Sequence, residues 1–210
     1  ELDALELPIL DGSSKPYIDM LARTGTRRLR RARKYLRVLK PLEFSDGDRR
    51  IGIYPCDEFR VPCFVDYDHP DVGPQDVELT VNRKSFSREL APARTFGFMK
   101  DFAGLRAMGL IRGGSVENAI VLDDERSVNG PRRFGDEFGR HKALDLIGDL
   151  ALVGRPLQAR IVAHKAGHAL HTQLVTRLLA DRSLWVETTE EATEKPGLAT
   201  GVPVSANALS

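Results

Sequence analysis

The stretch RHKALDLIGDL, residues 140–150, constrains this chain more than any other. At helical spacing His141, Asp145 and Asp149 fall at i, i+4 and i+8, one stripe of one face. Leu144, Leu146, Ile147 and Leu150 make much of the remaining helix surface apolar. A helix of that kind packs inward, and burying a carboxylate without a partner is costly. The fold must therefore bring a cation, hydrogen-bond donors, or both to three titratable groups.

His141 and Asp145 form an HxxxD pair whose side chains reach one ion from adjacent turns, and an imidazole nitrogen with a carboxylate oxygen suits zinc. On spacing alone an intrahelical His–Asp hydrogen bond is the favoured explanation, because such pairs are common. Asp149 shifts the balance, because like charges on one stripe need a cation or donors between them. AHKAGHALH, residues 163–171, holds His164, His168 and His171, three of the five histidines. His168 follows Gly167 at a strand-to-helix junction, where free N–H groups gather and a histidine can stabilise negative charge or pass a proton. His171 reads as a capping or surface histidine, and His164 as either core or ligand. Lys142 and Lys165 neighbour these histidines and offer point charges to an anionic substrate, although a solvated lysine is the ordinary case. The Gly113-Gly114-Ser115 turn suits a phosphate or simply close packing.

Along the chain, the turn Asp11-Gly12-Ser13-Ser14 leads into a short helix, with Ser13 or Ser14 as N-cap and Gly25 at C′. The later part of TRRLRRARKYLRVLKPLEF alternates as a strand, and Asp46-Gly47 turns it into RRIGIYP as a hairpin. EFRVPCFVDYD reads as a third strand with Phe59, Val61, Cys63, Val65 and Tyr67 on one face, and HPDVGPQD as a loop. SFSRELAPARTFGF and MKDFAGLRAMG read as helical, interrupted by Pro92. NAIVLDD is a short strand, a helix starts near Phe134, QARIVAHKA is a strand, and a further helix runs from Gly167 to about Arg182. This order predicts an α+β fold, a two-layer sandwich of sheet and helices.

Hydrophobic residues at 41% and charged ones at 29% describe an ordinary globular chain. With 31 basic and 30 acidic side chains, net charge gives no reason to expect nucleic acid. The nine Lys or Arg of Arg23–Lys40 lack interleaved aromatics, so a charged edge strand explains them as well as an acidic partner does. No run approaches the length of a membrane span, and no secretory signal is read. Cys56 and Cys63 are expected as free thiols of a reducing cytoplasm.

These residues resemble the zinc-dependent UDP-3-O-acyl-N-acetylglucosamine deacetylases of lipid A biosynthesis. The resemblance runs through PILDGSSKP (8–16), YPCDEFRV (54–61), VDYDHP (65–70), ARTFGFMKDF (93–102), GLIRGGSVENAIVLDD (109–124), FGDEFGRHKALDLIGDL (134–150) and KAGHALH (165–171). It implies zinc, or iron(II), on His141 and Asp145, with His168 stabilising the oxyanion or protonating the leaving amine and Asp149 orienting His168. It further implies Lys142 and Lys165 at the substrate's diphosphate, Thr95 and Phe96 along the sugar and acyl site, and Ile111 to Ala119 along the acyl passage. A complete enzyme of this kind is expected to be a cytoplasmic monomer, inserting in no membrane and binding no nucleic acid.

The family's third zinc ligand and general base form a Glu-His pair, and no EH dipeptide occurs in the 210 residues. The chain is therefore expected to be a C-terminal portion: residues 1–30 a remnant of a first α+β domain, 31–188 a second, and 189–210 a disordered tail. On that expectation Leu7, Ile9, Leu10 and Leu21 are exposed, and the chain alone is inactive. The alternative is a non-catalytic module that keeps the nucleotide and acyl-sugar surfaces.

Overall fold

The computed structural model describes residues 7–27, 29–108 and 115–189. The expected glycine turn at 109–115 lies outside them except for Ser115, as do residues 111–114 of the acyl passage and the tail from 190 onward. An α+β architecture is present. Strands β1 (Tyr35–Val38), β2 (Leu42–Asp46), β3 (Arg49–Pro55), β4 (Phe59–Tyr67), β5 (Gly73–Thr80), β8 (Leu157–His164) and β9 (Trp185–Thr188) form one sheet. β6 (Phe96–Phe98) and β7 (Ile120–Leu122) form a parallel pair of their own. The helices are α1 (Lys15–Thr24), the single turn α2 (Arg83–Ser85), α3 (Met99–Ala107), α4 (Glu137–Leu150) and α5 (His168–Ala180). None in the described residues is long and apolar enough to cross a membrane.

β8 is the centre of the large sheet. It pairs antiparallel with β3 and parallel with β4, while its first two residues pair with β1. Ile51 and Ile53, Val61, Cys63 and Val65, and Ala159, Ile161 and Ala163 are buried, as the period of two in their strands predicts. Helix α4 packs over β4 and β5, and α5 over β2 and β3, so the two lie side by side on that face. Leu146, Leu150, Leu174 and Leu178 complete this core. Further along, α4 carries Phe138 into a second cluster with Val72, Ile120 and Leu122. One helix thus joins the main sheet to the β6–β7 pair.

Several expectations are corrected. The second half of the expected loop HPDVGPQD, Gly73–Asp76, is the start of strand β5, which pairs with β4 from Gly73 to Thr80 and places Gln75 and Val77 inward. SFSRELAPARTFGF is helical only to Leu90, where a π turn closed by Ala91 N–H on the Phe86 carbonyl ends the run before Pro92. Its last residues form β6, whose partner β7 is distant in sequence. The basic run is no edge strand, because β1 lies between β8 and β9. Part of its charge is used within the chain, Lys34 on Glu187 and Arg37 Nε on Gln158 Oε1 at 2.7 Å.

Other expectations stand. Gly47, at φ 60°, turns β2 into β3. Gly25 ends α1, and Ser14 is its N-cap residue without a capping side-chain bond, Ser13 Oγ instead accepting from Lys15 N–H. Gly12 is required twice over: its φ is 82°, and a Cβ there would meet the Asn118 carbonyl at 2.3 Å. Leu7, Ile9, Leu10 and Leu21 are exposed. Both cysteines are free, and burial pushes the Cys63 thiol up to about 12.

The start of α4 is fixed by Glu137, whose side chain has no exposed surface. Its carboxylate accepts from Arg94 N–H at 3.1 Å, Arg94 Nε at 2.9 Å, Arg94 Nη2 at 3.1 Å and Arg133 N–H at 2.5 Å. Burial alone would raise its pKa, but these donors outweigh burial and hold it below the ordinary 4.5. With the folded value depressed, the unfolded chain binds the proton first as pH falls. The stabilisation is complete above pH 4.5 and is lost as pH drops through the lower folded value. Chemical denaturation should therefore show Glu137→Gln less stable than the parent protein by on the order of 3 kcal/mol near neutrality. The gap should close in acid, and a gap independent of pH would remove Glu137 from this role.

Candidate active site

The stripe foreseen on α4 exists and is one turn longer than expected. Glu137, His141, Asp145 and Asp149 follow one another at i+4. His141 is 8% exposed. Its Nδ1 donates to the Ala93 carbonyl at 3.1 Å, an acceptor that assigns the proton to Nδ1. Nε2 then carries the lone pair, 3.4 Å from Asp145 Oδ1. Burial pulls the pKa of this imidazole below its ordinary value, against the pull of Asp145, so the ring is neutral near pH 7.

The other oxygen of Asp145 accepts from Lys142 Nζ at 2.9 Å. Burial would lower the Lys142 pKa, yet Asp145 overrides burial and raises it, keeping the ammonium charged. That ammonium also sits 5.4 Å from the centre of the Phe96 ring. Phe96 packs edge-on against Phe138 at 4.8 Å and faces the His141 ring at 6.3 Å. Beside it, Thr95 donates its N–H to the Gly12 carbonyl at 2.8 Å and accepts from Ile120 N–H at 2.8 Å. Phe96, His141, Lys142 and Asp145 are thereby brought together between β6 and α4, while Thr95, next to Phe96 in the chain, bonds Gly12 and Ile120.

Asp149 belongs to a second group. Its Oδ2 accepts from His168 Nδ1 at 2.6 Å and from His171 Nδ1 at 2.7 Å. A carboxylate only accepts, so both rings carry their proton on Nδ1. The sequence reading of His171 as a capping or surface residue is wrong, since it is 2% exposed in the interior between α4 and α5. Its relation to His168 at i+3 was the available signal. Asp149, His168 and His171 have donor atoms within 4.8 Å of one another, the one group of three metal-ligand types among the described residues.

Lys165 stands apart from both groups. It follows β8 at φ 50°, and its Nζ reaches Asp66 at 3.0 Å and Asp48 at 3.2 Å. His164 stacks on Phe64 at 4.8 Å with Nδ1 on the Asp48 carbonyl at 3.1 Å, and joins neither group.

These contacts separate two histidines on one acid. Asp149→Ala removes the acceptor of a buried N–H, for which the expected loss is about 1–3 kcal/mol in urea unfolding. His168→Ala deletes a side chain that is 68% exposed and should stay within about 0.5 kcal/mol of the parent. Equal losses in the two variants would contradict the arrangement.

Comparison with known proteins identifies the family of the chain. The profile of the family described as LpxC, UDP-3-O-acyl N-acetylglycosamine deacetylase, matches residues 1–180. A UDP-3-O-acyl-N-acetylglucosamine deacetylase of Solibacter usitatus (strain Ellin6076) is 48% identical over 186 residues, covering 88% of this chain and 63% of the relative. That of Myxococcus xanthus (strain DK1622) is 40% identical over 210 residues, covering 100% of this chain and 67% of the relative. That of Anaeromyxobacter sp. (strain Fw109-5) is 46% identical over 183 residues, covering 86% and 60%. The chain therefore spans between 60% and 67% of the length of these relatives. With a family profile over most of its length and relatives of this identity, the chain belongs to the UDP-3-O-acyl-N-acetylglucosamine deacetylase family.

Proposed function

We propose that the protein carrying this chain removes the acetyl group of UDP-3-O-acyl-N-acetylglucosamine in lipid A biosynthesis, by metal-dependent hydrolysis of the acetamide. The observation that carries this reading is the α4 stripe. On it His141 and Asp145 turn free ligand atoms toward each other, and one turn on Asp149 holds the Nδ1 of an exposed His168.

The donors fit a divalent cation. His141 is neutral, its Nδ1 is committed to a backbone carbonyl and its Nε2 is open, the arrangement by which an outer partner orients a ligating imidazole. Asp145 adds a carboxylate oxygen within 3.4 Å of that nitrogen. The two residues suit zinc and iron(II) alike. The third ligand and the general base are assigned to the Glu-His pair that the family resemblance implies, which is not among these 210 residues. When bound, the cation supplies Lewis-acid polarisation and a more acidic water.

The rest of the chemistry falls to side chains of this chain. Because His168 commits Nδ1 to Asp149, the proton it holds or moves is at Nε2. Protonated there, His168 donates to the oxyanion formed when water adds to the acetamide carbonyl. The same proton goes to the glucosamine nitrogen as the C–N bond breaks, giving acetate and a free amine. The negative charge of Asp149 stabilises the imidazolium meanwhile. Lys142 and Lys165 are assigned to the diphosphate, and Thr95 and Phe96 to the sugar and acyl site. Lys165 is fixed by its two aspartates at the mouth of β8, and Phe96 forms an apolar wall beside His141.

A second reading places the metal on Asp149, His168 and His171, whose donors lie within 4.8 Å. Against it, both Nδ1–H groups already point at the carboxylate oxygen a metal would need. Elemental analysis of the complete protein, with the Glu-His pair present, decides between the two. His141→Ala should lose its zinc, whereas His168→Ala should keep zinc and lose roughly 100-fold or more in kcat. Zinc retained in the first and lost in the second would move the metal to the other group. Lys165→Ala should raise KM for the UDP-sugar by roughly tenfold with kcat within about threefold, the mark of lost uniform binding.

A further inference from the structure

The two partners of Asp149 differ in kind. His168 is 68% exposed at the side chain, and His171 is 2% exposed, yet both bond the same oxygen, Oδ2. Their rings stand 5.9 Å apart and nearly perpendicular, at 75°. A side chain free to rotate in solvent does not hold a carboxylate in place, because fixing it costs its own rotamer freedom. A buried one, already fixed by packing, does.

His171 occupies the first turn of α5, its backbone N–H on the Gly167 carbonyl at 3.1 Å. Its helix neighbours Leu170, Leu174, Val175 and Leu178 are all in the core. Within that setting Nε2 is buried and has no hydrogen-bond partner. Leucine would pack there without leaving a polar atom unsatisfied, so packing alone does not favour histidine. What histidine adds is an N–H at Nδ1, anchored in the core and aimed across the helix pair at Asp149. Burial pushes its pKa below the ordinary 6.5 in spite of Asp149, with His168 and Asp145 the other charged groups acting on it. The ring is therefore a neutral donor of one hydrogen bond rather than a second charge.

We infer that His171 is a positioning residue of the active site: it clamps the Asp149 carboxylate so that Oδ2 holds His168 in the Nδ1–H tautomer, with Nε2 directed outward. The inference rests on the proposed role of His168, and it is stated for side chains whose arrangement can be read without turnover.

The test uses His171→Asn, whose amide N–H takes the place of Nδ1–H, and His171→Leu, which fills the volume without a donor. Ring-nitrogen NMR reads the tautomer of His168, and steady-state kinetics on UDP-3-O-acyl-N-acetylglucosamine reads kcat and KM. In the Asn variant His168 should keep the Nδ1–H tautomer, with kcat within about threefold of the parent. In the Leu variant the tautomers should mix, and kcat should fall roughly 10- to 30-fold with KM within about twofold. Parental tautomer and kcat in the Leu variant would overturn the inference. So would an Asn variant as deficient as Leu, because volume rather than the donor would then be what matters. If circular dichroism shows that the Leu variant does not fold, His171→Gln takes its place, since its amide sits at the Nε2 position. Asn sound and Gln deficient supports the clamp, and equal behaviour refutes it. A complete parent protein, with the Glu-His pair present, that shows a locked His168 tautomer and no turnover would refute the deacetylase reading and leave the clamp standing. A tautomer still locked in the Leu variant would refute the clamp alone.

Discussion

Glu137 enters the interior as a charge, and it is tolerated there because Arg94 and the Arg133 N–H surround it with donors. An α-helix turns through about 100° per residue, so fixing the azimuth of one residue in the first turn fixes every later one. Once Glu137 is held, His141, Asp145 and Asp149 follow on a stripe that advances about 40° round the helix at each step. The three consecutive residues Ala93, Arg94 and Thr95 do most of this anchoring. Ala93 gives its carbonyl to His141, Arg94 its guanidinium to Glu137, and Thr95 its N–H to Gly12. A segment whose sequence reads as helix turns out to be the frame against which the functional helix is set.

The electrostatics of the stripe follow one rule: each acid finds its partner on a different element or a different turn. Glu137 takes Arg94 from the loop before β6, Asp145 takes Lys142 and faces His141 on α4 itself, and Asp149 takes two histidines from α5. No acid on the stripe relies on solvent alone. The apolar side of the same helix is spent on two cores, Phe138 in one and Leu146 and Leu150 in the other. The two apolar clusters and the paired acids are thus carried by a single helix of 14 residues.

Much of this arrangement is legible in the amino-acid sequence. A period of 3.6 in residues 137–150 and of two in residues 59–67 marks α4 and β4, and Asp46-Gly47 marks the hairpin between β2 and β3. Strand β5 carries no such mark, because it begins Gly73-Pro74 and mixes Asp76 and Glu78 into its outward positions, the composition of a sheet edge. Strand β6 is equally silent, having three residues and a partner set by tertiary contact rather than by local pattern. Among the candidate residues, spacing singles out His141, Asp145 and Asp149 without choosing between an ion and an intrahelical hydrogen bond, and the place after Gly167 singles out His168. Glu137 requires extending the same spacing one turn toward the N-terminus. The Ala93 carbonyl has no signature in sequence at all, because any residue presents one.

The departures from ordinary folding rules also fall in few places. Two non-glycine residues among those described have positive φ, Leu10 at 52° and Lys165 at 50°. One precedes the Asp11-Gly12 turn that seats Thr95, and the other opens the junction between β8 and α5. That junction further contains Gly167 as an N-cap without a side-chain bond, and His171 with an unsatisfied Nε2. Between Lys165 and His171, then, a left-handed lysine, an uncapped helix and an orphaned ring nitrogen occur within seven residues. The left-handed lysine and the orphaned nitrogen are locally unfavourable. Strain and unsatisfied polar atoms persist where the surrounding structure enforces them, and such places concentrate at functional sites. The well-paired sheet and the two apolar clusters supply that enforcement. Across the β8–α5 junction, His168 and His171 both reach Asp149 Oδ2.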